Sequence, residues 1–421
     1  MPRRITIVSG LQVTDNPRVV KEADALVELG YNVTVLSAVW SADALPRIAR
    51  LLQGRHWVHR PVVDLSDRRP VNRVHMLALR AAARSAAVAR TRLGIEHPLQ
   101  LGFPVWPLLR AARRTPTDLY SLHLEKSLWV GLRLVEEGHL VRIDIEDWHT
   151  EDGLPEDRAR RPVELMRLAE STLLNAAVHA TTTSNAMSDA LVARYACPRP
   201  LVIYNSFPLS DRDAIDGQRL DRKPDEGPSI TWFSQTIGPG RGLEALVAAF
   251  AGLPQDCALH LRGTPRPGYV DTLLAPLSQS ARARVRVHPQ VPQDQLLSRL
   301  AEHDIGYCGE LADCASRDVT ITNKAFEYMR ARMAVVASDT RGQAEIAATA
   351  PGSVRLFRQG DPSDLRAALL PLVSDPAALD AARQAALNAL EAHFSWERSK
   401  QALQTQVASH FGDPVPLAAT A

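Results

Sequence analysis

The fold is indicated most clearly by two neighbouring stretches, TITNKAFEYM at residues 320–329 and AVVASD at residues 334–339. The first predicts a helix capped by Asn323, with Lys324 in its first turn and Glu327 one turn further on the same face. A lysine at a helix N-terminus opposes the helix dipole, so its presence there favours a bound anion nearby. In the alternative interpretation, Lys324 is solvated and Glu327 is ion-paired. The second stretch is apolar and predicts a buried strand.

Buried strands of the same kind recur along most of the chain, and helical patterns separate most of them. This alternation is typical of parallel sheets covered by helices on both faces. It predicts an α/β protein with two Rossmann-like, doubly wound domains. In the C-terminal half the predicted strands are Ile230–Ser234, Leu259–Arg262, Val285–His288, Ile305–Tyr307, Val335–Ser338 and Val354–Phe357. In the N-terminal half they are Ile5–Ser9, Asn32–Ser37, Leu119–His123, Val141–Ile145, Val178–Thr183 and Leu201–Tyr204.

The domain boundary is predicted at residues 208–227, which are rich in Asp, Arg, Gly and Pro and poor in apolar residues. The sequence thus divides into an N-terminal domain at 1–207, a C-terminal domain at 228–392 and a helical segment at 393–421, whose last residues from Asp413 are expected to fray. At the start of the chain, Asn16 and Pro17 predict the beginning of a helix that Gly30 closes.

A second candidate anion site is the stretch SQTIGPGRG at residues 234–242. It is predicted to follow a strand and to open a helix near Leu243. Glycines at such a turn let the backbone approach a phosphate, the free N–H groups point outward, and Arg241 adds charge-assisted hydrogen bonds. The spacing matches neither G-x-G-x-x-G nor a Walker motif. A purely structural glycine turn is the alternative.

In the N-terminal half, polar residues follow two predicted strands, in YSLHLE at 120–125 and DIEDWH at 144–149. A doubly wound sheet exposes its ligand crevice at the carboxyl ends of its strands. The sequence therefore predicts acid/base work or sugar binding by Glu146, His123 and His149, against the alternative that each histidine is structural. Asp211-Arg212-Asp213 matches an Asp-x-Asp metal motif only by count and lies in the linker. No metal is expected.

The formal charge of +2 hides a strongly basic segment. Between Arg47 and Arg114 there are 14 arginines and three acidic residues, Asp64, Asp67 and Glu96, which leaves an excess of +11. This segment predicts contact with an anionic membrane surface, with a solvated arginine-rich face as the alternative. Nucleic acid is not expected as a partner, because no aromatic residues are interleaved with the arginines.

The chain shows neither a signal peptide nor an apolar run of membrane-spanning length. Its four cysteines form no CxxC pair and are interpreted as reduced thiols. These features predict a cytoplasmic protein, placed peripherally at the inner face of the cell membrane if the basic segment binds there.

Several motifs carry a family resemblance. Asn323-Lys324-x-Phe-Glu-Tyr-Met, the strand at 334–339 and Gly342-x-x-Glu345 resemble the donor-site signature of retaining GT-B glycosyltransferases of the GT4 type. Val8-Ser9-Gly10, the stretch NPRVVKEA at 16–23 and Phe394-Ser395-Trp396 are similar to the same family. The resemblance implies two facing Rossmann-like domains, with the nucleotide in the second, the acceptor in the first and catalysis in the cleft. It also implies that the terminal helix crosses back to the N-terminal domain.

By the resemblance, Glu327 holds the donor ribose and Arg241 the diphosphate. The family's first glutamate falls on Val319, with Glu310 and Asp318 as offset alternatives. Its other basic residue falls on Gln235, so Lys324 is expected to supply the missing charge. The predicted donor-binding residues are Gly10, Gln235, Gly238, Gly240, Arg241, Gly242, Arg262, Thr322, Asn323, Lys324 and Glu327. The predicted catalytic residues are Glu146, His123, His149 and Glu310.

The resulting hypothesis is sugar transfer, with retention, from a UDP-, GDP- or dTDP-sugar to a glycan, lipid-linked or small-molecule acceptor, in the assembly of a surface polysaccharide or another glycoconjugate. No permanently bound cofactor is expected. Two rivals remain on the same architecture, because a fold does not fix a function. One is a nucleotide-sugar epimerase, and the other is a non-catalytic assembly subunit.

Overall fold

The computed structural model describes residues 2–223 and 226–413. Pro224 and Asp225 of the predicted linker, and residues 414–421 of the predicted terminal segment, lie outside the described residues. The chain forms two compact units. Unit 1 comprises the described residues within Met1–Thr183, Met187–Ile203 and Lys400–Ala421, and unit 2 comprises those within Ser184–Ala186 and Tyr204–Ser399.

Unit 1 is built on a parallel sheet, which has seven strands in the described part of the chain, in the order β3-β2-β1-β4-β5-β6-β7. The strands are β1 (Arg4–Gln12), β2 (Asn32–Val39), β3 (Val58–Asp64), β4 (Leu119–His123), β5 (Val141–Ile145), β6 (His179–Thr182) and β7 (Leu201–Val202). Every residue of β4 and β5 is buried, as expected for strands covered on both faces. The strand order reverses between β1 and β4, so the polar residues at these strand ends share one edge.

Helices connect the strands of this sheet. They are α1 (Pro17–Glu28), α2 (Leu45–Leu52), α3 (Pro70–Leu93), α4 (Val105–Arg114), α5 (Leu124–Glu136), α6 (Pro155–Arg158), α7 (Val163–Ala176) and α8 (Asn185–Tyr195). The start of α1 is confirmed: Asn16 accepts hydrogen bonds from the backbone N–H groups of Arg18 and Val19, and Pro17 occupies the first helical position. No helix in the described residues is long and apolar enough to cross a bilayer.

Unit 2 repeats the design with a parallel sheet that counts six strands among the described residues, in the order β10-β9-β8-β11-β12-β13. The strands are β8 (Ser229–Ile237), β9 (Ala258–Pro265), β10 (Val285–His288), β11 (Ile305–Cys308), β12 (Ala334–Ser338) and β13 (Val354–Phe357). The helices are α9 (Leu243–Phe250), α10 (Tyr269–Leu274), α11 (Gln279–Arg282), α12 (Gln293–Leu300), α13 (Ala315–Val319), α14 (Asn323–Arg330), α15 (Arg341–Thr349), α16 (Pro362–Ser374) and α17 (Pro376–Ala389). The order reverses between β8 and β11.

The last helix, α18 (Trp396–Phe411), begins in unit 2 and continues into unit 1 from Lys400. Within unit 1 it packs on α1 and on the residues that follow α1. Gln404 donates a 2.8 Å hydrogen bond to the carbonyl of Ala25, and the rings of Phe411 and Tyr31 lie 5.8 Å apart. Leu403 and Val407 of the same helix are buried. The terminal helix is therefore an integral part of unit 1.

Two features of the fold differ from the sequence-based expectation. Strand β3 was not predicted, because it is an edge strand in which only Val63 is fully buried, and it contains Arg60 and Pro61. Strand β8 was predicted to end at Ser234 but continues to Ile237 across a bulge between Phe233 and Thr236. The second difference changes the position of the glycine turn.

Candidate functional site

The first candidate site lies at the edge of the unit 2 sheet where the strand order reverses. Because β8 extends to Ile237, Gln235 lies inside the strand with an exposed side chain, and the turn itself runs from Gly238 to Gly242. Gly240 and Gly242 have φ values of 73° and 67°, the left-handed conformation that favours glycine. The turn leads directly into α9.

Gly242 brings this turn against the neighbouring strand. A Cβ atom at Gly242 would lie 2.0 Å from the carbonyl oxygen of Gly309, and the Tyr307 hydroxyl donates a 2.7 Å hydrogen bond to the Gly242 carbonyl. Gly242 is the residue that precedes α9, and it has no side chain to cap the helix. Among the described residues no side chain caps the first backbone N–H groups of α9, an arrangement that favours an anion.

Lys324 and Glu310 form an ion pair at the same edge. The Lys324 ammonium lies 2.7 Å from a Glu310 carboxylate oxygen and 3.3 Å from the Thr322 hydroxyl. Burial alone would raise the pKa of Glu310, but Lys324, with Arg241 and Arg317, holds it below its ordinary value. The structure thus brings Arg241, Lys324 and Glu310 into one electrostatic neighbourhood.

The predicted cap of α14 is wrong by one residue. Thr322 is the last residue before the helix, with extended backbone angles of −65° and 135°, and Asn323 is the first helical residue. Asn323 consequently has an exposed side chain and does not cap the helix, whereas Lys324 is buried. The helix N-terminus and the lysine in its first turn remain as predicted.

Glu327 lies one turn further along α14 and is 1% exposed. One of its carboxylate oxygens accepts a 2.5 Å hydrogen bond from Arg330, whose guanidinium also pairs with Asp211. This is the ion-paired alternative that the sequence left open. The role of Glu327 toward a ribose stays a prediction.

Arg262 is held by protein groups. Its guanidinium donates a 2.6 Å hydrogen bond to the Pro289 carbonyl and forms an ion pair with Asp221, and the residue is 5% exposed. Its predicted role in donor binding stays a prediction. Two other arginines that the sequence did not single out lie at the glycine turn: the Arg266 side chain is next to Gly238, and Arg317 donates a 3.4 Å hydrogen bond to the Gly240 carbonyl. Arg266 directly follows β9, and this position at a strand end could have identified it from the sequence.

The second candidate site lies at the corresponding edge of the unit 1 sheet, where β1 and β4 end. Gly10 falls within the irregular end of β1 rather than after the strand. A Cβ atom there would lie 2.8 Å from the Lys126 side chain. Gly10 therefore allows Lys126, at the start of α5, to lie across the end of β1.

Beneath this edge lies a buried network of charged side chains. Arg18 donates two 2.6 Å hydrogen bonds to Asp144, and Glu22 accepts from Arg142 and, at 3.1 Å, from His123. The other His123 ring nitrogen lies 3.3 Å from Asp144. None of these five residues is more than 4% exposed. Arg18 and Glu22 come from the stretch NPRVVKEA, whose role the sequence did not reveal.

Electrostatics fix the charges of this network. Burial alone would lower the pKa of His123, but Glu22 and Asp144 raise it to about 9. Burial alone would raise the pKa of Glu22, but Arg142 and His123 lower it to about 2. His123 is therefore a charged, 1% exposed residue with a carboxylate on each side. Its position favours the structural alternative, and its predicted catalytic role stays a prediction.

Glu146 and Asp147 follow β5 and are only partly buried. Burial, with the neighbouring carboxylates, raises the pKa of Glu146 to about 7 and that of Asp147 to about 6. A carboxyl group with such a pKa can accept or donate a proton near neutral pH. Of the predicted catalytic residues in unit 1, Glu146 has the properties that acid/base work requires.

His149 begins a short 3₁₀ turn and is 6% exposed. Its Nε2 atom has no hydrogen-bond partner among the described residues. Next to it, Glu125 pairs with Arg161; burial would raise the pKa of Glu125, but His149, Lys126 and Arg161 lower it. The predicted polar cluster is thus divided, with His123 and Asp144 in the buried network and Glu146, Asp147 and His149 above it.

Comparison with known proteins agrees with this architecture. Residues 227–375 match the family described as Glycosyl transferases group 1. No curated protein matches the sequence.

Among solved structures, sucrose-phosphate synthase from Thermosynechococcus elongatus is 17% identical with a TM-score of 0.68, over 97% of this chain and 99% of that one. HepE from Anabaena, in complex with UDP-glucose, is 17% identical with a TM-score of 0.68, over 96% and 99% of the chains. Trehalose 6-phosphate synthase from Burkholderia multivorans is 16% identical with a TM-score of 0.66, over 98% of each chain. At this identity the likeness establishes the fold. Residues 227–375 are therefore similar to the glycosyltransferases of group 1, and the chain as a whole has the two-domain GT-B fold.

Proposed function

We propose that this protein transfers a sugar from a nucleoside diphosphate sugar to an acceptor, with retention of the anomeric configuration, in the assembly of a surface polysaccharide or another glycoconjugate. The observation that carries the proposal is the edge of unit 2 where the ion pair of Lys324 and Glu310, together with Arg241, lies beside the glycine turn that leads into α9. The family match of residues 227–375 favours transfer over epimerisation. The HepE complexes contain UDP or UDP-glucose, which favours a UDP-sugar over a GDP- or dTDP-sugar.

The donor diphosphate is expected to bind at the N-terminus of α9. Backbone N–H groups, the helix dipole and Arg241 all favour an anion there. Lys324 then exchanges Glu310 for a phosphate oxygen, or bridges the two. Arg266 and Arg317, beside Gly238 and Gly240, extend the positive surface of the turn. Glu310 is left to accept hydrogen bonds from the sugar, in place of the glutamate that Val319 replaces.

In the reaction, the bond between the anomeric carbon and the diphosphate oxygen breaks, and the acceptor hydroxyl oxygen bonds to that carbon. Negative charge grows on the leaving diphosphate, where preorganised cations stabilise the transition state most. The proton of the acceptor hydroxyl leaves as the new bond forms. We propose that either Glu146 or the departing diphosphate accepts this proton, and that His149 assists Glu146.

The same cations provide charge that a metal ion supplies in other diphosphate-binding enzymes. We therefore propose that transfer proceeds without a metal, and activity in EDTA tests this point. The basic segment between Arg47 and Arg114 is proposed to hold the protein at an anionic membrane surface on the cytoplasmic side. Flotation with anionic vesicles at low and high salt checks the proposal, and absence of binding at both salt concentrations contradicts it.

The proposed donor site is tested by thermal unfolding of the protein with UDP-, GDP- and dTDP-sugars. A ligand present at 100 times its dissociation constant adds about 2.7 kcal/mol of stability. The preferred donor should raise Tm in the parent protein and lose this effect in Arg241→Ala. If none of the donors shifts Tm, the donor site is wrong. Donor turnover without any acceptor would favour an epimerase, and donor binding without nucleotide release in any acceptor mixture would favour a non-catalytic subunit.

A further inference from the structure

A cavity of about 780 Å³ opens in unit 1 between α3 and the segment 94–103. Its wall contains three arginines, Arg84 and Arg90 from α3 and Arg160 from the turn that follows α6. Leu99 and Phe103 supply apolar surface. None of the predicted site residues lines this cavity.

The arginines of the cavity are available to a ligand. Arg84 and Arg160 are exposed, and neither makes an ion pair or side-chain hydrogen bond within the described residues. Arg90 donates a 2.6 Å hydrogen bond to the Ala159 carbonyl and lies 4.0 Å from Glu96. Glu96 is largely engaged elsewhere, because its carboxylate accepts a 2.6 Å hydrogen bond from the backbone of Leu165. The cavity therefore has a surplus of positive charge.

The cavity also borders the edge of the sheet described above. Gly102 lines the cavity, and a Cβ atom there would lie 2.9 Å from the Lys126 side chain. The same lysine side chain lies against Gly10 at the end of β1. Lys126, whose ammonium lies 3.7 Å from Glu125, thus lies between the cavity and the strand ends of unit 1, where the acceptor is expected.

The outer face of α3 is apolar and uncovered. In this helix of 24 residues only Met76 is buried. Val74, Leu77 and Val88 are 67%, 63% and 51% exposed and recur at helical spacing on one face. Exposed arginines, among them Arg80, Arg84 and Arg92, are interleaved with them. An apolar helical face rimmed by arginines is suited to the interface of an anionic bilayer.

We propose that the cavity binds the phosphate or diphosphate of a lipid-linked acceptor, while the outer face of α3 lies in the membrane interface that holds the lipid chain. The inference rests on the proposed function, for which it names the acceptor class. Arginine forks match the geometry of phosphate oxygens, and the apolar cavity wall and helix face match the start of a lipid chain. A free sugar phosphate would match the arginines but not the apolar surface, so we propose a lipid-linked phosphate as the ligand.

The test measures binding of farnesyl diphosphate, a short lipid diphosphate, to the full-length chain by calorimetry. Arg84→Ala and Arg160→Ala should each weaken binding by about 10-fold or more, because each removes hydrogen bonds to a charged group. Arg110→Ala is the matched control: it lies in the same basic segment, exposed on α4, and outside the cavity. If both cavity variants bind like the parent protein, the proposed site is wrong.

Two further probes separate the lipid from the free anion. Inorganic pyrophosphate should bind at least 10-fold more weakly than farnesyl diphosphate, since it lacks the apolar contact; equal affinity contradicts the lipid assignment. In flotation with anionic vesicles, the double variant Val74→Gln/Leu77→Gln should lose binding, while Leu168→Gln, also an exposed apolar position at 56%, should not. Equal flotation of the two contradicts the role of α3.

Nucleotide binding is measured in the same preparations. If it fails while farnesyl diphosphate binds, the proposed donor function is wrong and the lipid-phosphate site stands. The reverse result overturns the lipid-phosphate site alone.

Discussion

The two units have the same kind of sheet but place their charges differently at the edge where the strand order reverses. In unit 1, Arg18, Glu22, His123, Arg142 and Asp144 form a closed network below the edge, and each charge has at least one opposite partner in the protein. In unit 2, Lys324 and Glu310 form a pair beside an uncapped helix and a glycine turn. The first arrangement braces the edge, and the second leaves charge that a ligand can use.

The difference shows that the same edge of this fold can carry charges that support the structure or charges that are available to a ligand. Removing an ion from water costs several kcal/mol, and only partners with good geometry offset that cost. A network in which Glu22, His123 and Asp144 each have two opposite partners holds the strands in one arrangement. A pair with a single strong contact can exchange that contact for a phosphate at little cost. The predictions below test this contrast, starting with the largest expected effect.

The largest effect is expected from Glu22→Gln, which removes the charge that Arg142 and His123 face. Arg142 then loses its carboxylate partner and His123 loses one of its two, so the free energy of unfolding should fall by about 3–5 kcal/mol. Chemical denaturation followed by tryptophan fluorescence measures the loss. The matched control is Glu28→Gln in the same helix, whose pair with Lys400 is exposed and should contribute less than about 1 kcal/mol. Equal losses in the two variants would contradict the bracing role of the network.

In unit 2 the expected effect is on rate. Arg241→Ala and Lys324→Ala should each slow sugar transfer by about 100-fold, because each removes a cation from a leaving group whose charge grows in the transition state. Arg358→Ala, an exposed arginine of the same unit, serves as the control. Transfer rates near that of the parent protein in both variants would place the diphosphate elsewhere.

A smaller effect is expected from Glu327→Gln, which should weaken binding of the nucleoside diphosphate by about 1–3 kcal/mol if the carboxylate accepts hydrogen bonds from the ribose. Glu327 also pairs with Arg330, so the variant is expected to lower Tm as well. Calorimetry separates the two roles. A fall in Tm with unchanged nucleotide affinity assigns Glu327 to the ion pair alone.

The smallest effect concerns pH. The pKa of Glu146 is raised by burial to about 7, so the folded chain holds a proton that the unfolded chain releases near pH 4.5. Its contribution to stability is therefore fully present below pH 4.5 and is lost as pH rises through 7. Relative to the parent protein, Glu146→Gln should be more stable at pH 8 than at pH 4, by about 1 kcal/mol after allowance for partial exposure. Glu156→Gln, at an exposed position in α6, should show no such trend.

The features that could be predicted from the sequence are those that depend on residues close together in the chain. The cap of α1 by Asn16, the glycines at 238–242 and Lys324 at the start of α14 were all found this way, since each depends on a few consecutive residues. Strand β3 was missed because only Val63 among its residues is fully buried and its apolar signal is weak. Local patterns also left the ends of elements uncertain, as Gln235 and Asn323 show.

The buried network could not be predicted, because its partners are distant in sequence. Glu22 and Arg142 are 120 residues apart, and Arg18 and Asp144 are 126 apart. A charged residue in an amphipathic helix is usually exposed, so Glu22 gave no sign of burial. The same holds for the cavity, where Arg84 and Arg160 meet only in the folded unit. The network follows from the topology of the sheet, which brings the start of α1 together with β4 and β5.

The path of the chain also has a consequence for synthesis. Unit 1 contains both the first residues and those from Lys400 onward, so the whole of Tyr204–Ser399 is translated before the residues that complete it. Until the ribosome releases Gln404 and Phe411, Ala25 and Tyr31 lack the contacts that these residues provide in the folded unit. Unit 2 has its own core and can fold in the meantime. A chain cut short near residue 399 would thus keep an intact unit 2 beside an unfinished unit 1, which is a form that chaperones and proteases recognise.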